Sequence, residues 1–230
     1  MILPRANGYV LVVRPEPGLS ATLAAAQEIG LNAIGYPLSE IRPLDWECPD
    51  PGAIDALLIG STNAIRHGGE ALERLKGKPV YAVGETTADA AREAGFEIAG
   101  VGSGGLQKVL DAIPAPARLL RIAGAEHVPL LPPAGVHIHT VIAYENVALE
   151  LPEPLRPLHD LGLTVLLHSG AAAEQFDRES RRLALQRDRI ELAVIGPRVA
   201  SSAGKGWRAI HVSPAPNDRA LLEMVGNLCL

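Results

Sequence analysis

Three features are scarce in this 230-residue sequence: cysteine, clustered basic side chains and long apolar runs. The two cysteines, Cys48 and Cys229, are too few and too far apart to suggest a disulfide framework or a zinc site. The net charge is −5 and the arginines are scattered, so no basic patch of the kind that binds nucleic acid is present. Gly, Pro, Arg or Glu interrupts every apolar run before the roughly 20 residues that a membrane span needs. We therefore expect neither a nucleic-acid-binding nor a membrane protein.

The first residues, "MILPRANGYVLVVRP", also lack the pattern of a targeting segment. A proline and an arginine precede a short apolar run, which suits neither a signal peptide nor a transit peptide. We expect a cytoplasmic protein. Its hydrophobic content of 47% is enough to fill the core of one large α/β domain or of two small ones.

What the sequence does contain is an alternation of short apolar runs with alanine-rich helical runs. In the first half "YVLVV" precedes "LSATLAAAQEIG", "ALLIG" precedes "TNAIRHGGEALERL", and "VYAV" precedes "TTADAAREAG". In the second half "TVLLHS" precedes "AAAEQFDRESRRLAL", and "ELAVIG" precedes "RVASSAG". This pattern predicts βα units with a parallel sheet.

The two halves also repeat each other. Four pairs of residues mark the repeat at nearly constant offsets: Arg14 and Arg121 (107), Tyr36 and Tyr144 (108), Ser61 and Ser169 (108), and Gly84 and Gly196 (112). A period of about 108 residues is too long for a solenoid and predicts two similar domains with a cleft between them. Because ligands of open α/β sheets bind at the carboxyl ends of the strands, the turns that follow the strands are the candidate binding residues.

Six segments resemble, in chain order and spacing, the uroporphyrinogen-III synthase family: "VLVVRPEPGLSATLAAAQEIGLNAIGYPLSEIRP", "DALLIGSTNAI", "VYAVGETTADAAREAGF", "LLRIAG" with the later "TVIAYEN", "LLHSGAAAEQF" and "VIGPRVASSAG". The resemblance implies two similar parallel-sheet, flavodoxin-like α/β domains that are joined by a two-stranded β connection. It implies a discontinuous first domain of residues 1–36 plus 147–230 and a second domain of residues 38–144. The linkers are expected near 36–42 and 140–148.

The resemblance also implies a reaction. Such an enzyme is a lyase of porphyrin and heme biosynthesis that closes the linear tetrapyrrole hydroxymethylbilane into uroporphyrinogen III, inverting the last pyrrole ring and losing water. It uses no metal and no organic cofactor, and its partner is the small-molecule substrate alone, so we expect a monomer. The alternative is a two-lobed binding or regulatory module of the same fold without catalysis. Gly60 and Val199 motivate this alternative, since they stand where the family often has a hydroxyl side chain.

The substrate of this family carries eight carboxylates, whereas the chain is acidic. Backbone amides at helix N-termini can bind carboxylates because they carry partial positive charge without adding formal charge. The resemblance marks Tyr144 as the catalytic residue, which assists departure of the hydroxyl group. The expected substrate-binding residues are Arg14, Ser61, Thr62, Asn63, Gly84, Thr86, Thr87, Ser103, Gly104, Arg121, Gly124, Ser169, Gly170, Gly196, Pro197, Arg198 and Val199, with Arg66 as a further ion partner.

Several of these residues have simpler structural interpretations. Ser61 and Ser169 are typical helix caps, and Thr87 is an early-helix hydroxyl or a cap. A tyrosine at the end of a strand often packs its ring and leaves its hydroxyl in water. No G-x-S-x-G elbow surrounds either serine, which disfavours a serine hydrolase. His137 and His139 alternate on a predicted strand but lack a third ligand for a metal. "GSGG" at 102–105 is not followed by the last glycine of a dinucleotide-binding fingerprint.

Overall fold

The computed structural model describes residues 8–153 and 162–229. The chain divides into two compact units: unit 1 is Met1–Glu40 with Ala148–Leu230, and unit 2 is Ile41–Val147. Among the residues described, no helix is long and apolar enough to cross a membrane.

Strands and helices alternate along both units, as the sequence pattern predicts. In chain order the elements are β1 (Tyr9–Val12), α1 (Gly18–Glu28), β2 (Ala33–Gly35), β3 (Ser39–Pro43), β4 (Ala56–Ile59), α2 (Thr62–Arg66), α3 (Gly69–Glu73), β5 (Val80–Val83), α4 (Glu85–Glu93), β6 (Ile98–Gly102), α5 (Leu106–Asp111), β7 (Ala117–Gly124), β8 (Val136–Ala148), β9 (Leu163–Leu167), α6 (Gly170–Arg182), β10 (Ile190–Val194), α7 (Pro197–Ser202), β11 (Ala209–Val212) and α8 (Asp218–Cys229).

Unit 1 is built on a five-stranded sheet in the order β11-β10-β9-β1-β2, in which the neighbouring strands are parallel. Its central strands are short aliphatic runs because both faces of the sheet are covered. Leu11 packs on one face against Phe176 of α6. Val10 packs on the other face against Leu19 of α1 and Leu221 of α8.

Unit 2 is built on a six-stranded sheet in the order β3-β8-β7-β4-β5-β6. Strands β4 to β8 pair in parallel, and β4 is buried along its whole length. Helices α2, α3 and α4 cover one face of this sheet, and α5 covers the other.

The edge strand β3 pairs with β8. These two strands contain both segments in which the chain passes from one unit to the other. Leu44 N donates to Ala143 O at 2.8 Å, and Leu149 N donates to Leu38 O at 2.8 Å. One partner's number rises as the other's falls, so the two segments run antiparallel. The two-stranded β connection predicted from the resemblance is therefore confirmed.

The two parallel sheets have the same topology when their strands are matched by the sequence repeat. The order β2-β1-β9-β10-β11 in unit 1 corresponds to β8-β7-β4-β5-β6 in unit 2. Two similar parallel-sheet α/β domains, predicted from the repeat and the resemblance, are thereby confirmed.

Strand register corrects two of the four residue pairs that mark the repeat. Leu58 pairs with Arg121, and its counterpart Leu166 pairs with Val12. The structural mate of Arg121 is therefore Val12, and the predicted match with Arg14 is wrong by two residues. The tyrosine match is wrong as well. Val12 pairs with Gly35 on β2 and Arg121 pairs with Thr140 on β8, so Tyr36 corresponds to Val141 rather than to Tyr144.

Candidate functional site

A pocket of about 360 Å³ opens at the carboxyl ends of β4 and β7 in unit 2. Its walls come from four parts of the unit: Gly60 and Ser61 after β4; Gly105, Leu106 and Gln107 at the start of α5; Arg121, Ile122, Ala123, Gly124, Glu126, His127, Val128, Pro129 and Leu130 in β7 and the following loop; and Tyr144 in β8. The topology explains this location. The chain goes from β4 outward to β5 and β6, then returns to β7 on the other side of β4, which leaves a crevice between the two strand ends.

Tyr144 takes its position from the glycine opposite it. Gly124 pairs with Tyr144 across a bulge between β7 and β8. A Cβ atom on residue 124 would lie 2.6 Å from Cε2 and 2.9 Å from Cζ of Tyr144, so the aromatic ring rests directly on the glycine backbone. The ring also packs against the core of unit 2. Gly124, predicted as a binding residue, thus has a steric role that the sequence does not reveal.

The ring of His67 lies near Tyr144, with 6.3 Å between the two ring centroids. Burial, and then the charge of Arg66, lower the pKa of His67 below its ordinary value. Both effects favour the neutral imidazole, which is a poorer proton donor than the imidazolium.

Arg121 lies inside β7 and is only 6% exposed. Its Nη1 donates to Val128 O at 2.9 Å, whereas its buried Nε has no hydrogen-bond partner. Burial lowers the pKa of Arg121, and the phenol of Tyr144 opposes this shift, but a guanidinium stays charged at any physiological pH. Among residues 8–153 and 162–229, no carboxylate forms an ion pair with it.

The loop between β7 and β8, residues 125–135, forms the outer wall of the pocket. Parallel strands are usually joined through a helix, but this connection is irregular and is tied down by side chains. Gln107 Nε2 donates to Leu131 O at 2.8 Å, and Leu131 N donates to Gln107 Oε1 at 2.9 Å. Val128 and Leu131 remain 75% and 81% exposed, so the wall has apolar tips. Neither Gln107 nor the loop was expected from the sequence, because the contacts join elements more than 20 residues apart.

Unit 1 has a different arrangement at its own strand ends. Asp218, the first residue of α8, accepts from Arg14 Nη1 at 2.7 Å and from Thr22 Oγ1 at 2.7 Å, and its other oxygen accepts from His168 Nε2 at 2.6 Å. Burial opposes ionisation of this carboxyl, but the bonds from His168 and Thr22, with the adjacent positive charge, outweigh burial and lower the pKa of Asp218 to about 2. We call these four residues the Asp218 network. Arg14, predicted as a direct ion partner of the substrate, is here paired within the chain.

A family model for uroporphyrinogen-III synthase HemD matches residues 20–223, which is most of the chain. The chain belongs to the uroporphyrinogen-III synthase family. It is accordingly a lyase of porphyrin biosynthesis that closes hydroxymethylbilane into uroporphyrinogen III, and nothing in the match supports the non-catalytic alternative.

Two solved structures of uroporphyrinogen-III synthases show the same fold. The enzyme from Helicobacter pylori 26695 is 17% identical, covers 96% of this chain and 99% of its own, and gives a TM-score of 0.64. A triple mutant of the enzyme from the extremely thermophilic bacterium Thermus thermophilus is 18% identical and gives a TM-score of 0.53. The match covers 96% of this chain and 97% of that enzyme's chain. No curated protein sequence matches the chain.

Of the residues that the sequence predicts for a synthase site, the pocket brings together Ser61, Arg121, Gly124 and Tyr144. Ser61 is also the N-cap of α2, where its hydroxyl accepts from Asn63 N at 3.2 Å. Ser169 caps α6 in the same way, accepting from Ala172 N at 3.1 Å. The prediction that both serines are caps is confirmed.

The other predicted residues do not line the pocket, and all of them except Arg14 and Arg66 lie at helix starts. Thr62 begins α2 and is followed by Asn63; Gly84 precedes α4, with Thr86 exposed and Thr87 buried in its first turn; Ser103 and Gly104 precede α5; Gly170 begins α6; and Gly196 precedes α7, which starts at Pro197 and continues with an exposed Arg198 and a buried Val199. Arg66, in the last turn of α2, donates to Thr62 Oγ1 at 3.4 Å. Gly60 does line the pocket, and a Cβ there would lie 3.3 Å from Cδ2 of Leu106. A hydroxyl residue at this position would therefore press on the pocket wall.

Proposed function

We propose that the pocket of unit 2 binds the reacting end of hydroxymethylbilane and that Tyr144 assists departure of its hydroxyl group. The proposal is supported by the position of the Tyr144 ring. The ring packs on the backbone of Gly124 and forms part of the pocket wall between the ends of β7 and β8. A phenol fixed by its ring presents its hydroxyl without the entropic cost of immobilising a flexible side chain.

The chemistry demands little more than such a donor. As the C–O bond of the terminal hydroxymethyl group breaks, its electron pair leaves with the oxygen, and the nitrogen lone pair, delocalised through the pyrrole ring, stabilises the resulting azafulvenium cation. The phenol donates a hydrogen bond and then its proton to the departing oxygen, which leaves as water. The substituted α carbon of the last ring then attacks the cation, and the bond from this carbon to its original methylene bridge breaks. The freed methylene bonds to the unsubstituted α carbon of the same ring, which loses its proton, so the ring is inverted. The chain must hold the substrate so that the substituted carbon is the nearer one to the cation.

Backbone amides are proposed as partners for the remaining carboxylates. Gly84 has φ +75°, a conformation that glycine adopts without strain, and it directs the chain from β5 into α4. The first turn of α4 leaves amide donors unpaired, and the helix dipole favours an anion there. The turns at Ser103 and Gly104, at Ser169 and Gly170, and at Gly196 to Val199 are proposed for the same role. We further propose that the enzyme acts as a monomer in the cytoplasm.

Tyr144→Phe tests the assignment of the pocket. The variant keeps the ring on Gly124 and removes only the hydroxyl, so kcat should fall by roughly 10- to 10³-fold, the range of general-acid contributions. Fresh hydroxymethylbilane is supplied and the products are separated into uroporphyrinogen isomers, because the uncatalysed reaction gives type I. Tyr81→Phe removes a phenol from β5 of the same unit, outside the pocket, and is the matched control. An unchanged kcat for Tyr144→Phe would show that position and backbone alone drive the reaction.

A further inference from the structure

Within the described part of the chain, Arg121 differs from Arg118 and Arg187 because its charge is buried without a counter-ion. Arg118, three residues earlier on β7, is exposed and pairs with Asp55 at 2.7 Å. Arg187, which is largely buried in unit 1, pairs with Asp177 at 2.6 Å. Burying a guanidinium costs free energy unless an anion and hydrogen bonds compensate for the lost water. The position of Arg121 therefore stabilises the protein less than an apolar residue would, and it needs another explanation.

Part of the donor capacity of Arg121 is unused within the described part of the chain. Nη1 donates to Val128 O and Nε is fully buried without an acceptor, whereas Nη2 is not fully buried and makes no hydrogen bond to a described residue. Arg121 and Tyr144 both line the pocket, whose volume of about 360 Å³ can admit a substituted pyrrole ring. Glu126 also lines the pocket but is exposed and makes no ion pair with Arg121. A planar group with two anionic oxygens is the ligand that best matches a guanidinium with unused N–H donors.

We propose that Arg121 binds one carboxylate of the substrate, on the pyrrole ring whose hydroxymethyl group reaches Tyr144. This inference rests on the proposed use of the pocket and adds the residue that orients the ring there. The carboxylate supplies the missing counter-ion, and Val128, whose carbonyl is tied to the same guanidinium, places its apolar side chain in the same wall. The ring is thus held by its acid group at one end while its leaving group faces the phenol.

Arg121→Met is the decisive variant, since methionine keeps a straight side chain but has no charge and no donor. We expect KM for hydroxymethylbilane to rise about 10- to 100-fold, as for the loss of charge-assisted hydrogen bonds. The melting temperature should stay the same or rise, because a buried unpaired charge is removed. Arg121→Lys keeps the charge without the planar fork and should recover part of the affinity. Arg118→Met removes an arginine from the same strand outside the pocket and should leave KM unchanged.

Two results would overturn the inference. One is a KM for Arg121→Met and Arg121→Lys equal to that of the wild type. The other is a fall in melting temperature for both variants with no change in KM, which would make Arg121 a structural residue. The role of Tyr144 is tested by kcat of Tyr144→Phe, and the role of Arg121 is tested by KM of Arg121→Met. The two proposals can therefore fail independently of each other. Should the methionine variant not fold, the lysine variant decides the question by the same KM measurement.

Discussion

Arg14 and Arg121 lie near the carboxyl ends of equivalent strands, β1 and β7, in two sheets of the same topology, and yet their surroundings are opposite. Arg14 follows its strand, is 30% exposed in its side chain and is paired with Asp218. Arg121 lies inside its strand, is 6% exposed and has no counter-ion in the described part of the chain. The repeat has thus kept the backbone frame, whereas the polar side chains at the strand ends have diverged. In unit 1 they bind one another, whereas in unit 2 Arg121 donates to the backbone of Val128 and has no carboxylate partner among the described residues.

The comparison directs attention to Gly124, whose backbone contacts the Tyr144 ring in unit 2. Gly124→Ala would place Cβ 2.6 Å from Cε2 of Tyr144 and must displace the ring. We expect kcat to fall about 100-fold, because the phenol loses its alignment with the leaving group, and overpacking to lower the free energy of unfolding by about 1–3 kcal/mol. Gly226→Ala in α8, where a Cβ meets nothing within 4 Å, is the control for a glycine substitution as such.

A double variant shows whether Gly124 acts through the phenol. If the ring is already displaced by alanine, adding Tyr144→Phe should reduce kcat little further, so the two losses should not multiply. Fully multiplicative losses would mean that Gly124 contributes independently, for example by direct contact with the substrate.

In unit 1 the corresponding effect should fall on stability. Asp218→Asn weakens the hydrogen bonds with Arg14, Thr22 and His168 and is expected to lower the free energy of unfolding by about 1–3 kcal/mol, as measured by urea denaturation. The ratio of type III to type I product should not change. Glu223→Gln, on the same helix, breaks an exposed pair with Arg219 and should leave the free energy of unfolding nearly unchanged, because solvent screens exposed ion pairs. If Asp218→Asn changed the isomer ratio and left the free energy of unfolding unchanged, the Asp218 network would act in catalysis and not in stability, contrary to our expectation.

The smallest effect is one of pH. Because the folded pKa of Asp218 is about 2 and lies below the unfolded value, its contribution to stability is complete above about pH 4 and is lost as the pH falls toward 2. The difference in unfolding free energy between wild type and Asp218→Asn should therefore shrink by about 1–2 kcal/mol over this interval, allowing for partial exposure. A difference that stays constant from pH 4 to pH 2 would contradict an ionised Asp218 network.

Local features of the fold were predictable from the sequence because neighbouring residues determine them. The βα alternation, the glycine corner at Gly84 before α4, and the caps at Ser61 and Ser169 each depend on a few consecutive residues. The match of Arg14 with Arg121 failed for a physical reason. Side chains alternate with a period of two along a strand, so a shift of two residues leaves the buried and exposed faces unchanged and escapes detection.

Contacts between distant segments were outside the reach of the sequence. His168 and Asp218 are 50 residues apart, and no local pattern indicates their 2.6 Å hydrogen bond. Tyr144 was predicted from family resemblance. Its contact with Gly124 could not be predicted, because it depends on the register of β7 against β8, including the bulge. Likewise the sequence named Arg121 among several candidate arginines, and only its burial distinguishes it from the others.

The division of the chain into a continuous and a discontinuous unit also affects how the protein folds during translation. Unit 2 is one uninterrupted stretch, Ile41–Val147, whereas unit 1 must pair β1 with β9 across the whole of it. Closing a loop of that length is slow relative to the local pairings of unit 2, and β9 leaves the ribosome only after unit 2 has been synthesised. We expect the nascent chain to form the pocket around Tyr144 first, while the N-terminal β1 and α1 wait for their partner strand to emerge.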